Sequence, residues 1–149
     1  MKKPYWLPGN VAEIEIPGPF YCYGIVIASP LMGFFDIRSD KHLTCDLLSG
    51  KPLAFRVWVM KYAIGKNGWK IIGQLPLSDE MKDDPWFFKK DRISGKLTKY
   101  RHNDERPASK EECLGLECAA VWDPEHIVSR LDDHFESRPN KWAEAMKIK

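Results

Sequence analysis

Short strand-like segments separated by proline and glycine turns fill the first half of the chain, and they limit the folds that it can form. Residues 11–16 alternate apolar side chains with Glu13 and Glu15, a period that is typical of a half-buried strand. A Pro-Gly-Pro turn at residues 17–19 ends this segment, because proline fixes φ and lacks an N–H donor. Residues 20–28 are rich in aromatic and β-branched side chains, so the two segments predict an antiparallel hairpin.

Further segments extend this pattern. Residues 32–37 and 54–63 predict a third and a fourth strand. The pair Asn67-Gly68 is a turn that hairpins favour, so residues 69–75 predict a fifth strand paired with the fourth, and residues 97–101 predict a later edge strand. Locally paired short strands of this kind indicate a twisted, mostly antiparallel sheet or a small, partly open barrel, with about five to six strands.

Helix signals are concentrated in the last third of the chain. Ser109 and Glu112 have the spacing of a capping box, in which each residue satisfies a free N–H group at the start of a helix. Asp123 before Pro124 is a preferred pair for opening a longer helix, and Asn140 is placed to cap a short last one. The predicted fold class is therefore α+β, with helices toward the C-terminus.

Length and charge bound the class of protein. Leu, Ile, Val and Phe make up 36 of the 149 residues, enough apolar side chain for one core, so we predict a single domain over residues 1–149. The net charge of +2 excludes a strongly polycationic or polyanionic protein. This near balance hides an acidic block at residues 78–84, a basic block at 89–102 and a second acidic block at 103–117.

Alternating charge blocks favour a protein partner over nucleic acid, because signs that change along a surface give complementarity to one particular partner. Single-stranded nucleic acid stays open as the alternative. The basic block with Tyr100 and Phe88 has the cations and aromatic rings that a small barrel uses to bind single strands.

No motif for catalysis or for a cofactor is present in the sequence. G-x-S-x-G, P-loop, G-x-G-x-x-G and H-E-x-x-H patterns do not occur, so we predict a protein that is not an enzyme and that needs no cofactor. His126 and His134 lie two helical turns apart with Arg130 between them, and the arginine repels a cation, so no metal site is predicted. A ribonuclease-like pair of His102 with either of these histidines stays open.

The sequence carries no sign of export or membrane insertion. The N-terminus lacks the apolar stretch of a signal peptide, and the mostly apolar residues 24–35 are too few to span a bilayer. We therefore expect a cytoplasmic protein without membrane association, whose four cysteines are reduced structural thiols.

An ordered set of short segments resembles the immunity protein 26 family of bacterial polymorphic-toxin systems. The resemblance begins with residues 23–26 and continues through 69–73 and 85–87 in the family's order. It is strongest at residues 107–117, 119–122 and 124–131. It implies a cytoplasmic antidote that binds one cognate toxin domain, from a polymorphic toxin or a contact-dependent inhibition effector. Binding would block the active site of the toxin or another surface that the toxin needs.

The resemblance also guides the choice of site residues. Specificity for one toxin should lie in variable surface loops, and the first acidic block with the Trp86 region that follows it is such a segment. We therefore predict toxin contacts at Asp79, Glu80, Asp83, Asp84, Trp86 and Phe87. The acids would neutralise the basic substrate-binding face of a toxin such as a nuclease, or mimic the substrate there. The protein would be a monomer or a weak homodimer. A structural polar network is expected from Glu117, His126 and Arg130.

Overall fold

The computed structural model describes residues 5–148 and has an α+β architecture with a six-stranded and a four-stranded sheet. Strands β1 (Asn10–Ile16), β2 (Phe20–Ala28), β3 (Leu31–Phe35) and β4 (Leu53–Val59) follow one another in the larger sheet, each antiparallel to the next. This arrangement confirms the α+β class and the predicted local pairing of the first four strands.

The fifth strand does not pair as the sequence predicted. Strand β5 (Lys70–Gln74) is antiparallel to β1 at the far edge of the sheet, and it is not the hairpin partner of β4. A 3-10 turn at Lys61–Ala63 follows β4, and the N–H of Trp69 donates to the carbonyl oxygen of Ala63 at 2.7 Å. The Asn67-Gly68 turn therefore folds back on this 3-10 turn, and the chain leaves it toward β1.

A second sheet packs beside the first. Strands β6 (Phe87–Lys90), β7 (Leu97–Arg101) and β8 (Asp104–Pro107) form an antiparallel meander, and β9 (Glu117–Cys118) adds to β6 in parallel. Because β7 lies between β6 and β8, its prediction as an edge strand was wrong. Strand β10 (Val121–Trp122) returns to the larger sheet beside β4. The larger sheet has the order β10-β4-β3-β2-β1-β5, which leaves its two ends unjoined in the described part of the chain.

Five short helices complete the described chain: α1 (Cys45–Leu48), α2 (Asp79–Lys82), α3 (Lys110–Leu114), α4 (Pro124–Phe135) and α5 (Lys141–Met146). The predicted caps are confirmed. Ser109 and Glu112 form a reciprocal capping box at α3, Asp123 caps α4 with Pro124 in its first turn, and Asn140 caps α5. None of these helices is long and apolar enough to cross a membrane.

The larger sheet is buried on both faces. Alternate side chains of β2 enter different cores, with Cys22 and Val26 on one side and Tyr23 and Ile25 on the other. Helix α4 packs into the first core, while α1, α2 and β6 cover the second. Double burial explains why β2 and β3 read as nearly continuous apolar runs. The buried side chains of Met81 in α2 and Phe87 in β6 hold these two elements against the sheet.

Candidate functional site

Three exposed acids of the predicted contact segment lie on or beside α2. Arg56 of β4 donates to the backbone carbonyl oxygens of Glu80 at 2.9 Å and Asp83 at 2.7 Å, so the segment is anchored through its backbone. The side chains of Asp79, Glu80 and Asp83 form no ion pair with another described residue. Their negative charge is therefore presented to solvent from a fixed position.

Asp84 and Phe87 have different surroundings from those three acids. The Asp84 carboxylate pairs with the side chain of His102, which follows β7. Phe87 is only 2% exposed, and its ring lies 4.5 Å from that of Trp58 in the second core. The structure therefore corrects the prediction of Phe87 as a surface contact, because its inward register on β6 commits its side chain to packing.

Trp86 lies among cations, although its neighbours in sequence are acids. In the β6–β7–β8 meander, Phe88 is opposite Lys99, and Lys99 is opposite Arg106, so their side chains point to one face. Trp86 is two positions before Phe88, and Arg101 is two positions after Lys99, so their side chains lie on the same face. The Trp86 ring centroid is 4.9 Å from Lys99, 4.4 Å from Arg101 and 5.5 Å from Arg106. We name Trp86, Lys99, Arg101 and Arg106 the Trp86 surface.

Two of the three cations at the Trp86 surface have carboxylate partners. The Lys99 ammonium lies 2.9 Å from the Glu112 carboxylate, and this hydrogen bond, with one from the Ser109 N–H, lowers the pKa of Glu112. Arg106 donates two hydrogen bonds to Asp104, at 2.9 and 3.0 Å. The guanidinium of Arg101 forms no ion pair or side-chain hydrogen bond with the described residues.

The predicted polar network is represented by a bidentate ion pair. Arg130 of α4 donates two hydrogen bonds to Glu117 of β9, at 2.9 and 2.8 Å, and its guanidinium lies 3.8 Å from the Phe55 ring centroid. The pair joins the helix to the end of the smaller sheet. Among the described residues, no hydrogen bond joins His126 to this pair, and the His126 ring stacks on Trp142 with 3.7 Å between centroids.

An acidic cleft that the sequence analysis missed lies between β1, the 3-10 turn and the start of α4. It has a volume of about 740 Å³, and four carboxylates line it, from Glu13, Glu15, Asp123 and Glu125. The Tyr62 hydroxyl donates to Asp123, which lowers the pKa of that carboxyl and raises the pKa of the tyrosine. The alternation of Glu13 and Glu15 was visible in the sequence. Their proximity to residues more than 100 positions later was not.

The four cysteine thiols do not have the lowered pKa of an activated nucleophile. Burial raises the pKa of Cys22 to about 12, and burial is also the largest cause of the raised pKa at Cys45, Cys113 and Cys118. Each thiol is therefore held in its protonated, unreactive form. Within residues 5–148, no group of three or more His, Cys, Asp or Glu side chains is placed to hold a metal ion.

Comparison with known proteins places this architecture in a family. Residues 7–98 match the model of a family described as Immunity protein 26. The match contains three of the segments noted in the sequence, 23–26, 69–73 and 85–87, and it ends within β7. The segments between residues 107 and 131, where the resemblance was strongest, lie outside the match. No curated protein and no solved structure matched the chain.

Proposed function

The chain belongs to the immunity protein 26 family, and on this premise we propose that it binds and neutralises a cognate bacterial toxin domain. The family match, which covers most of the larger sheet and the start of the smaller one, is the observation that carries the proposal. The protein acts in the cytoplasm by binding, and it has no catalytic role. Its target is a domain of a polymorphic toxin or a contact-dependent inhibition effector, with a nuclease as one candidate class.

The arrangement of charge supports a protein partner. Asp84 pairs with His102, and these two residues directly follow the exposed Asp83 and the cation Arg101 in the chain. The pair therefore brings acids and cations near one another. A surface on which the sign of charge changes over short distances favours one partner and repels surfaces with the wrong pattern. We propose that Asp79, Glu80, Asp83, Asp84 and Trp86 contribute to the interface, with Phe87 beneath them as packing.

Co-expression tests the proposal directly. The toxin domain encoded by the neighbouring gene is induced in a bacterial host, alone or with this chain, and growth is followed. We expect growth to stop with the toxin alone and to continue when the chain is present. We also expect the two proteins to elute together in size-exclusion chromatography. The complex should contain one or two copies of this chain, since the chain is proposed to be a monomer or a weak homodimer. No rescue and no complex would refute the proposal.

A further inference from the structure

One positive charge at the Trp86 surface has no partner among the described residues. Three cations from β7 and β8 lie within 5.5 Å of the centroid of one indole ring. Glu112 and Asp104 neutralise Lys99 and Arg106, which leaves the charge of Arg101. Phe88 on the same face is buried, whereas Trp86 and Arg101 are partly exposed. Packing of the meander therefore does not account for the position of Arg101 beside the ring.

Arg101 is the cation at this surface that lacks a carboxylate partner among the described residues. Its guanidinium lies 4.4 Å from the Trp86 ring centroid, and the side chain is partly exposed. An arginine over an aromatic ring keeps the N–H donors at its edge available, and that edge matches a carboxylate in a bidentate geometry. Trp86 is partly exposed, so the pair presents the accessible part of the indole ring together with the free N–H donors of Arg101.

We propose that the Trp86 surface binds the toxin domain, and that the toxin presents an acidic patch to it. A carboxylate of the toxin accepts hydrogen bonds from Arg101, and an apolar side chain of the toxin packs on Trp86. Tryptophan and arginine are the residue types most enriched among those that dominate binding energy. This inference rests on the proposed function, because it assigns chemistry to the partner that the proposed function requires.

The carboxylates that stand among the cations favour a protein over nucleic acid as the partner. Asp104 and Glu112 neutralise two of the cations, and Glu105 lies 4.0 Å from the Lys89 ammonium. A single strand carries a phosphate at every nucleotide, so its backbone would approach these carboxylates. A protein can place its own acids opposite Arg101 and keep them away from the others.

The test measures the dissociation constant of the full chain for the toxin domain of the neighbouring gene, inactivated by substitution, using calorimetry. We expect Trp86→Ala and Arg101→Ala each to weaken binding about 30-fold, the loss expected for a residue that dominates an interface. Added salt should weaken wild-type binding more than binding of Arg101→Ala. Arg92→Ala is the matched control, since it removes the same charge from an exposed turn between β6 and β7.

The variants must stay folded for this comparison, which thermal melts will show. Trp86→Phe and Arg101→Lys are the milder replacements if either alanine variant unfolds. Each should still weaken binding. Phenylalanine has a smaller aromatic surface than tryptophan, and lysine cannot bind a carboxylate with two parallel N–H donors.

Three results would overturn the inference in distinguishable ways. If the wild type binds the toxin and the Trp86 and Arg101 variants bind as tightly as Arg92→Ala, the Trp86 surface is not the interface, although the proposed function stands. If the wild type neither binds the toxin nor protects cells, both fail. If an oligonucleotide of about 20 nucleotides binds at low salt and Arg101→Ala abolishes that binding, the surface belongs to nucleic acid.

Discussion

Replacement of Arg130 should destabilise the fold more than the loss of any exposed ion pair. Its side chain is 15% exposed and its partner Glu117 is 35% exposed, so the pair is mostly withdrawn from water. Arg130→Ala removes two charge-assisted hydrogen bonds and leaves the Glu117 carboxylate unpaired. A fully buried pair loses about 3–5 kcal/mol on such a change, and the partial exposure of Glu117 reduces this to about 2 kcal/mol.

The aromatic contact adds to this loss. The Arg130 guanidinium lies 3.8 Å from the Phe55 ring centroid and 5.0 Å from that of Trp122, in a partly desolvated position. A cation–π contact in such a position contributes about 1 kcal/mol. The total expected loss in the free energy of unfolding for Arg130→Ala is therefore about 3 kcal/mol. Arg130→Lys keeps the charge and loses the bidentate geometry, so it should lose about half as much.

Urea denaturation at pH 7, followed by tryptophan fluorescence, measures these losses. Arg138→Ala is the matched control, because Arg138 also binds two carboxylates, Asp132 and Asp133, but is 54% exposed. Its effect should be clearly smaller than that of Arg130→Ala, since exposed ion pairs contribute little. A double-mutant cycle with Glu117→Gln should give a coupling energy of at least about 1 kcal/mol. Equal losses for Arg130→Ala and Arg138→Ala, or no coupling, would refute the reasoning.

Three further changes test the fold with the same measurement. Gly68→Ala should lower stability by about 2 kcal/mol, because the added Cβ would lie 2.2 Å from the carbonyl oxygen of Ala63, whereas Gly115→Ala meets nothing within 4 Å and should change little. Asn140→Ala should also lose about 2 kcal/mol, because it removes the cap of α5 and two side-chain hydrogen bonds from a residue that is 6% exposed. Above pH 9, stability should fall by about 1.4 kcal/mol per pH unit on account of Cys22, because the unfolded thiol loses its proton near pH 9 while burial raises the folded pKa to about 12.

Each of these predictions has a result that contradicts it. Equal midpoints for the two glycine variants would show that the Gly68 turn does not approach the 3-10 turn closely. An Asn140→Ala variant as stable as the wild type would remove the capping argument for α5. Cys22→Ala should lose stability less steeply than the wild type between pH 9 and 11, and parallel curves would show that Cys22 does not cause the fall.

Local features of the fold were predictable because their causes lie within a few residues. A helix cap depends on a side chain and an N–H group two or three positions later, so Ser109, Asp123 and Asn140 could be recognised as caps. The hairpin of β1 and β2 was predictable for the same reason, since a short turn leaves adjacent strands little choice of partner.

The candidate site was less predictable than the fold. Trp86 could be chosen as a candidate contact because it lies between an acidic and a basic block. The order of these blocks in the sequence did not show which of them surrounds its ring. The cations that do so are 13, 15 and 20 positions later, and the strand register places them there. The acidic cleft could not be predicted from the alternation of Glu13 and Glu15, because its four carboxylates come from two distant segments.

The sequence by itself determined the α+β class, the first four strands and the caps of the last three helices, because these follow from short-range periodicity and turn chemistry. Only the tertiary structure decided that β5 joins β1, that Phe87 faces the core and that Trp86 faces cations. Such outcomes depend on which strands meet across long stretches of chain. The burial of both faces of the larger sheet favours the observed pairings, and a local sequence pattern cannot predict them.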